Sequence, residues 1–131
     1  IYKLKLQELI DLYIKKYYAP SCKTLLKVFA AGCYPAIQDL LKIVDATIAK
    51  IPGVKSMELE ATYLSWIDFS GTGMCKADYI DRVQKQAQIA SSHGDTFGTG
   101  GETFLRFNFA TQREVLSKAM ERLQKAFHDL Q

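Results

Sequence analysis

The chain of 131 residues has few of the side chains that build disulfide or metal frameworks. It contains three cysteines, Cys22, Cys33 and Cys75, with no CxxC pair among them, and its two histidines are His93 and His128. A disulfide framework or a zinc site needs closer and more regular spacing than this. The sequence therefore predicts free thiols in a reducing compartment and no metal site.

Long apolar runs and blocks of basic residues are absent as well. No hydrophobic stretch approaches the roughly 18 to 20 residues that span a bilayer, and nothing resembles a signal peptide. The net charge is only +3, with lysines spread along the chain, whereas nucleic-acid binding usually uses a concentrated basic face. We interpret the Lys15-Lys16 pair as a solvated helix face. These absences predict a soluble cytoplasmic protein that binds neither membrane nor nucleic acid.

The composition that is present is ordinary for a globular protein, with 48% apolar and 24% charged residues. The length suits a single domain with one core. The chain begins at Ile1 without an initiator methionine, which we take to indicate a processed protein or a piece of a longer one. We expect an N-terminal helical segment over residues 1–33, followed by a separate domain over residues 34–131.

The second part of the chain predicts the order helix, strand, strand, helix, strand, helix. Apolar residues at helical spacing run from Pro35 to Ile51, and Pro52-Gly53 ends that helix. Runs rich in β-branched and aromatic residues predict strands over residues 54–59, 62–69 and 104–109. Sparse strands between helices favour an α/β (α+β) fold, a two-layer sandwich in which helices cover one face of a small, mostly antiparallel sheet.

The two later helices follow from apolar spacing and from a start signal. The first is predicted over residues 77–90, with Ile80, Val83 and Ala87 facing inward. Thr111–Glu114 has the form of a capping box that begins the last helix. The apolar residues that this helix is predicted to bury are Val115, Leu116, Ala119, Met120, Leu123 and Phe127.

The stretch Gly94–Ala110 joins a glycine-rich loop to an apolar strand with one arginine in its middle. Side chains alternate along a strand, so Leu105 and Phe107 fall on one face and Arg106 on the other. If the apolar face packs on the following helix, the guanidinium points away from the core. A fixed cation of this kind suits a carboxylate, which its planar fork binds in bidentate fashion. The alternative is an exposed strand arginine, or one paired with a nearby Asp or Glu.

Other candidate sites are weaker. The loop glycines are not followed by Gly-Lys-Ser/Thr, and the segment enters a strand, so we interpret it as a flexible loop and not as a phosphate-binding one. His93 near Asp95 is interpreted as a surface loop histidine, because a catalytic pair also needs a nucleophile and an orienting group. Trp66 and Tyr63 are interpreted as core residues. With no nucleophile, metal site or paired carboxylates, the chain does not look like a complete enzyme.

Two segments carry a family resemblance. Glu60–Phe69 reads Glu-Ala-Thr-Tyr-Leu-Ser-Trp-Ile-Asp-Phe, and Gly94–Ala110 contains a Gly-x-x-Phe-Gly-x-x-Gly loop and a Phe-x-Arg-x-Asn-x-Ala strand. Together they resemble the C-terminal small domain of fold-type I pyridoxal-phosphate (PLP) enzymes, in the class I/II aminotransferase branch that includes cystathionine β-lyases. The resemblance covers Pro35 to Gln131.

The resemblance implies that Arg106 binds the α-carboxylate of an amino-acid substrate and that the glycine loop helps to close the pocket. It also implies that the cofactor, PLP, is held in a large domain that this chain lacks, and that the parent is a homodimer. Lys23 only faintly resembles the family's cofactor lysine and is not assigned that role. The chain is thus expected to be a C-terminal fragment of an aminotransferase or a C–S β-lyase, and alone to bind no cofactor and to be inactive.

Two other functions stay open from the sequence. One is a free-standing interaction module that uses the open sheet face for a protein partner. The other is a small sensor of carboxylate ligands, whose amino-acid binding would vanish in Arg106→Ala.

Overall fold

The computed structural model describes residues 35–60 and 62–130. Ile37–Gln131 forms one compact unit. The predicted N-terminal helical segment lies outside the described residues, and the predicted domain boundary between residues 33 and 34 stays a prediction. In the part of the chain that the structure describes, no helix combines the length and apolar character needed to cross a bilayer.

Three helices and four short strands make up this described part. Residues 35–48 are helical and are called α1. The other helices are α2, Lys76–Asp81, which continues as a π-helical turn over Arg82–Gln86, and α3, Arg113–Ala126. The strands are β1, Lys55–Ser56; β2, Leu64–Asp68; β3, Ser92–His93; and β4, Phe104–Asn108. Single 3-10 turns cover Ser70–Thr72, Gly94–Phe97 and His128–Leu130.

The four strands form one antiparallel sheet in the order β1-β2-β4-β3. In its centre, Trp66 of β2 lies opposite Arg106 of β4, and Ile67 lies opposite Leu105. On the other side of β4, Ser92 of β3 also lies opposite Arg106. The sheet and the helices confirm the predicted fold class, a small antiparallel sheet in a two-layer α/β arrangement.

The core forms between one sheet face and the helices, because the inward positions of β2 and β4 are apolar. Ile67, Leu105 and Phe107 are 0 to 2% exposed, as the period-two alternation predicts for β4. Each helix contributes fully or nearly fully buried side chains to the same cluster, among them Val44 and Ile48 of α1, Tyr79 and Val83 of α2 with its π turn, and Leu116, Met120 and Leu123 of α3.

The predicted helix over residues 77–90 is too long. Its helical hydrogen bonding ends in the π turn, where the Ala87 amide donates to the Arg82 carbonyl, and Gln88 then takes a positive φ of 55°. Such a backbone angle is incompatible with a continuing right-handed helix. Val83 and Ala87 are buried as predicted, whereas Ile80 is half-buried and the inward position is taken by Tyr79, which is 2% exposed.

The predicted capping box at Thr111–Glu114 is wrong. Helix α3 begins at Arg113, and its N-cap residue Gln112 makes no side-chain cap hydrogen bond. The residues before it are held in turns that delay the helix: the Ala110 amide donates to Asn108 Oδ1 at 3.0 Å and the Thr111 amide to the Phe109 carbonyl at 2.9 Å.

The predicted buried face of α3 is right except at its start. Leu116, Met120, Leu123 and Phe127 are buried, and Ala119 is half-buried. Val115 is 53% exposed, so its predicted burial is wrong. The helix turns by about 100° per residue, and the core occupies the side on which Leu116 lies.

Candidate functional site

Arg106 lies in β4, a strand paired on both sides, and its side chain is on the sheet face opposite the core. Its immediate chain neighbours, Leu105 and Phe107, fill the core face, so alternation fixes the direction of the guanidinium. The side chain is half-buried. A strand with a partner on each side is a rigid base for a binding group.

The guanidinium of Arg106 contacts an aromatic ring and a hydroxyl. Its Cζ atom lies 4.3 Å from the ring centroid of Phe97, within the range of cation–π attraction. Its Nη2 donates to Ser92 Oγ at 3.4 Å, which is a long hydrogen bond. Among residues 35–60 and 62–130, no carboxylate lies within 4.0 Å of this guanidinium. Within the described residues, the charge of Arg106 is therefore not neutralised by an acidic side chain.

Three aromatic rings form a cluster beside the arginine. Trp66 contacts Phe97 edge to face, with centroids 5.4 Å apart, and Phe104 at 6.1 Å in the same manner. With Met57, they line a shallow open depression of about 420 Å³, whose remaining wall is the loop from Gly94 to Gly101. The depression is therefore apolar on its sheet side and formed by glycine-rich backbone on its loop side.

The prediction that Trp66 and Tyr63 are core residues is wrong. Trp66 is half-buried and lies on the Arg106 face, since its pairing partner across the sheet is Arg106 itself. Tyr63 precedes β2 and is 43% exposed. The core face of β2 is instead filled by Ser65 and Ile67.

We call residues Gly94–Glu102 the glycine loop. Its two ends meet closely, because a Cβ atom on Gly94 would lie 2.3 Å from the Gly101 carbonyl oxygen. Helix α2 holds both ends. Lys76 forms an ion pair with Asp95, and the Tyr79 hydroxyl donates to the Glu102 carbonyl at 2.8 Å. Gly94 and Gly101 are therefore required by close contact between backbone segments. Their presence does not indicate a phosphate-binding loop.

The electrostatics of these attachments follow from their surroundings. The Lys76 ammonium lowers the pKa of Asp95, which keeps that carboxylate ionised. Burial, with smaller contributions from Asp95 and Asp68, raises the pKa of Tyr79. The phenol therefore stays protonated and can donate its hydrogen bond at neutral pH.

The prediction that His93 is a surface loop residue is wrong, because His93 belongs to β3 and is half-buried. Its Nε2 lies 3.1 Å from Nε2 of Gln84, and Gln84 also donates to the Ser91 carbonyl at 3.2 Å. These contacts hold β3 against the π-helical turn. The partner of the His93 ring is thus an amide side chain, which supports the strand and is not a nucleophile.

The described residues offer no metal site and no catalytic cysteine arrangement. No group of three His, Cys, Asp or Glu side chains in this part of the chain is placed to hold an ion. Cys75 is a free, exposed thiol, as predicted, and Cys22 and Cys33 lie outside the described residues.

A PLP cofactor, which the resemblance implies for the parent, needs a lysine for its Schiff base, an acid beside the pyridine nitrogen and phosphate-binding donors. The depression beside Arg106 is lined by apolar side chains, glycine backbone and Thr99, with no lysine and no carboxylate. Lys76 and Lys85 are engaged by Asp95 and Asp81. The residues that line this depression therefore do not fit the cofactor.

Sequence reasoning missed Phe97 and Ser92. The available signal for Phe97 was an aromatic residue between loop glycines, where a hydrophobic side chain has no core to enter. Ser92 gave no signal, because a strand of two residues has no readable alternation.

Comparison with known proteins indicates the class. No protein-family model matches the chain. It is 34% identical over 77 residues to cystathionine β-lyase PatB of Bacillus subtilis, a match that covers 59% of this chain and 20% of that protein. It is 33% identical over 85 residues to an aspartate aminotransferase of Pyrococcus horikoshii, covering 65% and 22%.

Similarity to a solved structure indicates the same class of enzyme as these relatives. Cystalysin from Treponema denticola, whose structure contains a pyridoxal 5'-phosphate cofactor, has a TM-score of 0.73 to this chain at 33% identity. The similarity covers 84% of this chain and 28% of cystalysin.

These similarities confirm the resemblance predicted from the sequence. The chain matches the C-terminal region of fold-type I PLP-dependent enzymes. Within that class, its relatives are aminotransferases and cystathionine β-lyases. The chain spans about a fifth of the length of the curated relatives it matches.

Proposed function

We propose that this chain is the C-terminal domain of a PLP-dependent aminotransferase or cystathionine β-lyase-type C–S lyase. In that enzyme, Arg106 binds the α-carboxylate of an amino-acid substrate. The observation that supports this role is a guanidinium fixed on the central strand β4, turned away from the core, with no carboxylate partner among the described residues. The names of the relatives supply the reaction classes.

The chemistry of the guanidinium fits this role. A carboxylate accepts two parallel N–H hydrogen bonds from an arginine fork. Only Nη2 of Arg106 has a hydrogen-bond acceptor within the described residues, and that contact to Ser92 is 3.4 Å long. The Nε and Nη1 donors and the second Nη2 hydrogen thus stay available, and that Nη2 hydrogen forms a bidentate fork with either Nε–H or Nη1–H. Because transamination and β-elimination both act on an α-amino acid, either reaction can use the same contact.

The remainder of the enzyme completes the proposal. A large domain absent from this chain would hold PLP, which supplies an electron sink for the substrate. The cytoplasmic location predicted from the sequence and the homodimer implied by the resemblance belong to the same proposal. The chain alone then contributes carboxylate binding and no turnover.

The test uses the full-length protein that contains this chain. A panel of L-amino acids that includes L-aspartate and L-cystathionine is assayed with the wild type, Arg106→Lys and Arg106→Ala. A lost charge-assisted pair costs about 2 to 4 kcal/mol, so kcat/KM should fall roughly 30- to 1000-fold in Arg106→Ala. Arg106→Lys should recover only part of it, since an ammonium cannot bind in bidentate fashion.

Arg113→Ala is the matched control, because Arg113 is 63% exposed and has only a 3.7 Å ion pair with Asp39. It should leave kcat/KM within about twofold. An Arg106→Ala enzyme within threefold of wild type, or a wild type that turns over no amino acid of the panel, would contradict the proposal.

A free-standing interaction module is the second candidate. It is favoured by the exposed apolar side chains on the open sheet face, where Met57 is 55% and Phe97 50% exposed. The length of the coding sequence separates the two candidates, since an added catalytic domain requires roughly 350 to 400 residues in total. A reading frame limited to this chain would favour the module.

A further inference from the structure

Phe97 is placed unusually for a large aromatic residue. Half of its surface is exposed, and it lies at the end of the 3-10 turn Gly94–Phe97. Yet its ring contacts two specific groups, the guanidinium of Arg106 at 4.3 Å and the indole of Trp66 at 5.4 Å. The Cζ atom of Arg106 therefore lies over the face of the Phe97 ring, within the range of cation–π attraction.

The turn that carries Phe97 is itself fixed. Asp95, two residues before Phe97, is ion-paired with Lys76 of α2. The Thr96 hydroxyl donates to the His93 carbonyl at 2.6 Å. Gly94 is buried against the Gly101 backbone. The position of the ring therefore depends on contacts at both α2 and β3.

Ser92 approaches the guanidinium from a different direction. It lies directly opposite Arg106 in the sheet register, and its hydroxyl accepts from Nη2. A two-residue edge strand has few hydrogen bonds of its own. The Gln84 side chain adds contacts to both chain neighbours of Ser92, the Ser91 carbonyl and the His93 ring, and so helps to hold this strand.

We propose that Phe97 and Ser92 are positioning residues for Arg106. The ring restrains the guanidinium by its contact with Cζ, the hydroxyl engages one Nη2 hydrogen, and the other N–H groups are held ready for a carboxylate. A free arginine side chain loses much rotamer freedom when it is immobilised. Prior restraint in the unbound protein lowers that loss on binding, which is the general effect of preorganisation. This inference rests on the proposed function of Arg106 and adds the two residues on which its carboxylate affinity depends.

The first test reads the side chain of Arg106 directly. In 15N,1H spectra of the 131-residue chain, the ring current of Phe97 should shift the Arg106 side-chain protons upfield. The shift should vanish in Phe97→Leu, return in Phe97→Tyr, and be unaffected in Tyr63→Leu, a change at another exposed aromatic residue. Unchanged backbone signals of Leu105 and Phe107 verify that each variant is folded. Arg106 protons without an upfield shift in the folded wild type would overturn the proposal.

The second test uses the full-length protein and the amino acid of the panel with the highest kcat/KM. Phe97→Leu should raise KM about two- to tenfold, the range expected for a cation–π contact, with kcat within twofold. Ser92→Ala should raise KM about twofold, since its hydrogen bond is long. Phe97→Tyr, which keeps an aromatic ring at this position, should have the wild-type KM. Tyr63→Leu should also leave KM unchanged.

The outcomes separate the two proposals. A large rise of KM in Arg106→Ala with an unchanged KM in both Phe97→Leu and Ser92→Ala overturns the positioning roles and leaves the function of Arg106 standing. An unchanged KM in Arg106→Ala overturns the proposed function itself. A fall of kcat without a change of KM in Phe97→Leu also overturns the positioning role, because a binding restraint acts on affinity.

Discussion

Trp66 and Arg106 lie directly opposite each other on the two central strands, with both side chains on the face away from the core. Phe97 contacts both of them from the glycine loop. Trp66 is the single tryptophan of the whole chain. Its fluorescence is therefore a specific probe of the Phe97 ring and of the face that carries the arginine.

Gly94→Ala should disturb this face and destabilise the domain. The new methyl group would lie 2.3 Å from the Gly101 carbonyl oxygen, within backbone that cannot move freely. Gly73→Ala is the comparison, because its Cβ would meet nothing within 4 Å and only the positive φ of 69° is unfavourable, at about 1 to 2 kcal/mol. In thermal unfolding, Gly94→Ala should lose more stability than Gly73→Ala, and it alone should change the Trp66 emission. Equal losses with unchanged emission would contradict the close contact.

Neighbouring apolar residues of α3 should differ sharply in their effects on stability. Leu116 is 4% exposed and Val115 is 53% exposed. Leu116→Ala should lower the free energy of unfolding by about 2 to 4 kcal/mol through lost burial and a cavity. Val115→Ala should stay within about 0.5 kcal/mol. Urea unfolding of both variants measures the difference, and similar losses would place the helix in a different rotation.

The ion pair of Arg82 with Asp129 should make stability depend on acidic pH. The hydrogen bonds from Arg82 lower the pKa of Asp129 to about 2, from 3.8 as its ordinary value. A lowered carboxyl pKa stabilises the folded state above the ordinary pKa, and the effect is lost as pH falls from about 3.8 toward 2.

This dependence can be isolated with a double-mutant cycle. Urea unfolding of the wild type, Arg82→Gln, Asp129→Asn and the double variant gives the coupling between the two residues. The coupling should be present at pH 7 and should fall steeply below about pH 3.8, leaving only a small part of it at pH 2. A coupling that is the same at both values would show that the pair does not act through the ionised carboxylate.

The 131-residue chain should not form a specific adduct with PLP. The depression beside Arg106 has no lysine in its lining. Borohydride reduction in the presence of the cofactor should give only low labelling spread over several lysines, as peptide mass mapping would show. Stoichiometric labelling of one lysine would contradict the assignment of the cofactor site to another domain. A chain heated above its unfolding transition serves as the reference for unspecific labelling.

The sequence allowed the prediction of those parts of the site that depend on local alternation. Leu105 and Phe107 point inward and Arg106 outward because strand parity is a property of adjacent residues. Helix α1 was predictable for the same reason, since its apolar residues recur over several turns.

The other features of the site could not be predicted, because they depend on contacts between residues that are distant in the sequence. The face of Trp66 is set by its register with Arg106, which is 40 positions away in the sequence, and the contact of Phe97 with Arg106 requires the particular turn of the glycine loop. Strand β3 was missed because two residues carry no period. Val115 and Leu116 are both apolar, so only packing against the sheet decides which of them is buried.

Lys76 and Tyr79 are three residues apart on α2, and they secure opposite ends of the glycine loop, at Asp95 and at the Glu102 carbonyl. Phe97 and the glycines after it lie between these two attachments. One short helix therefore sets the position of the whole loop, so a substitution that displaces α2 should displace the Phe97 ring and the surroundings of the Arg106 guanidinium together.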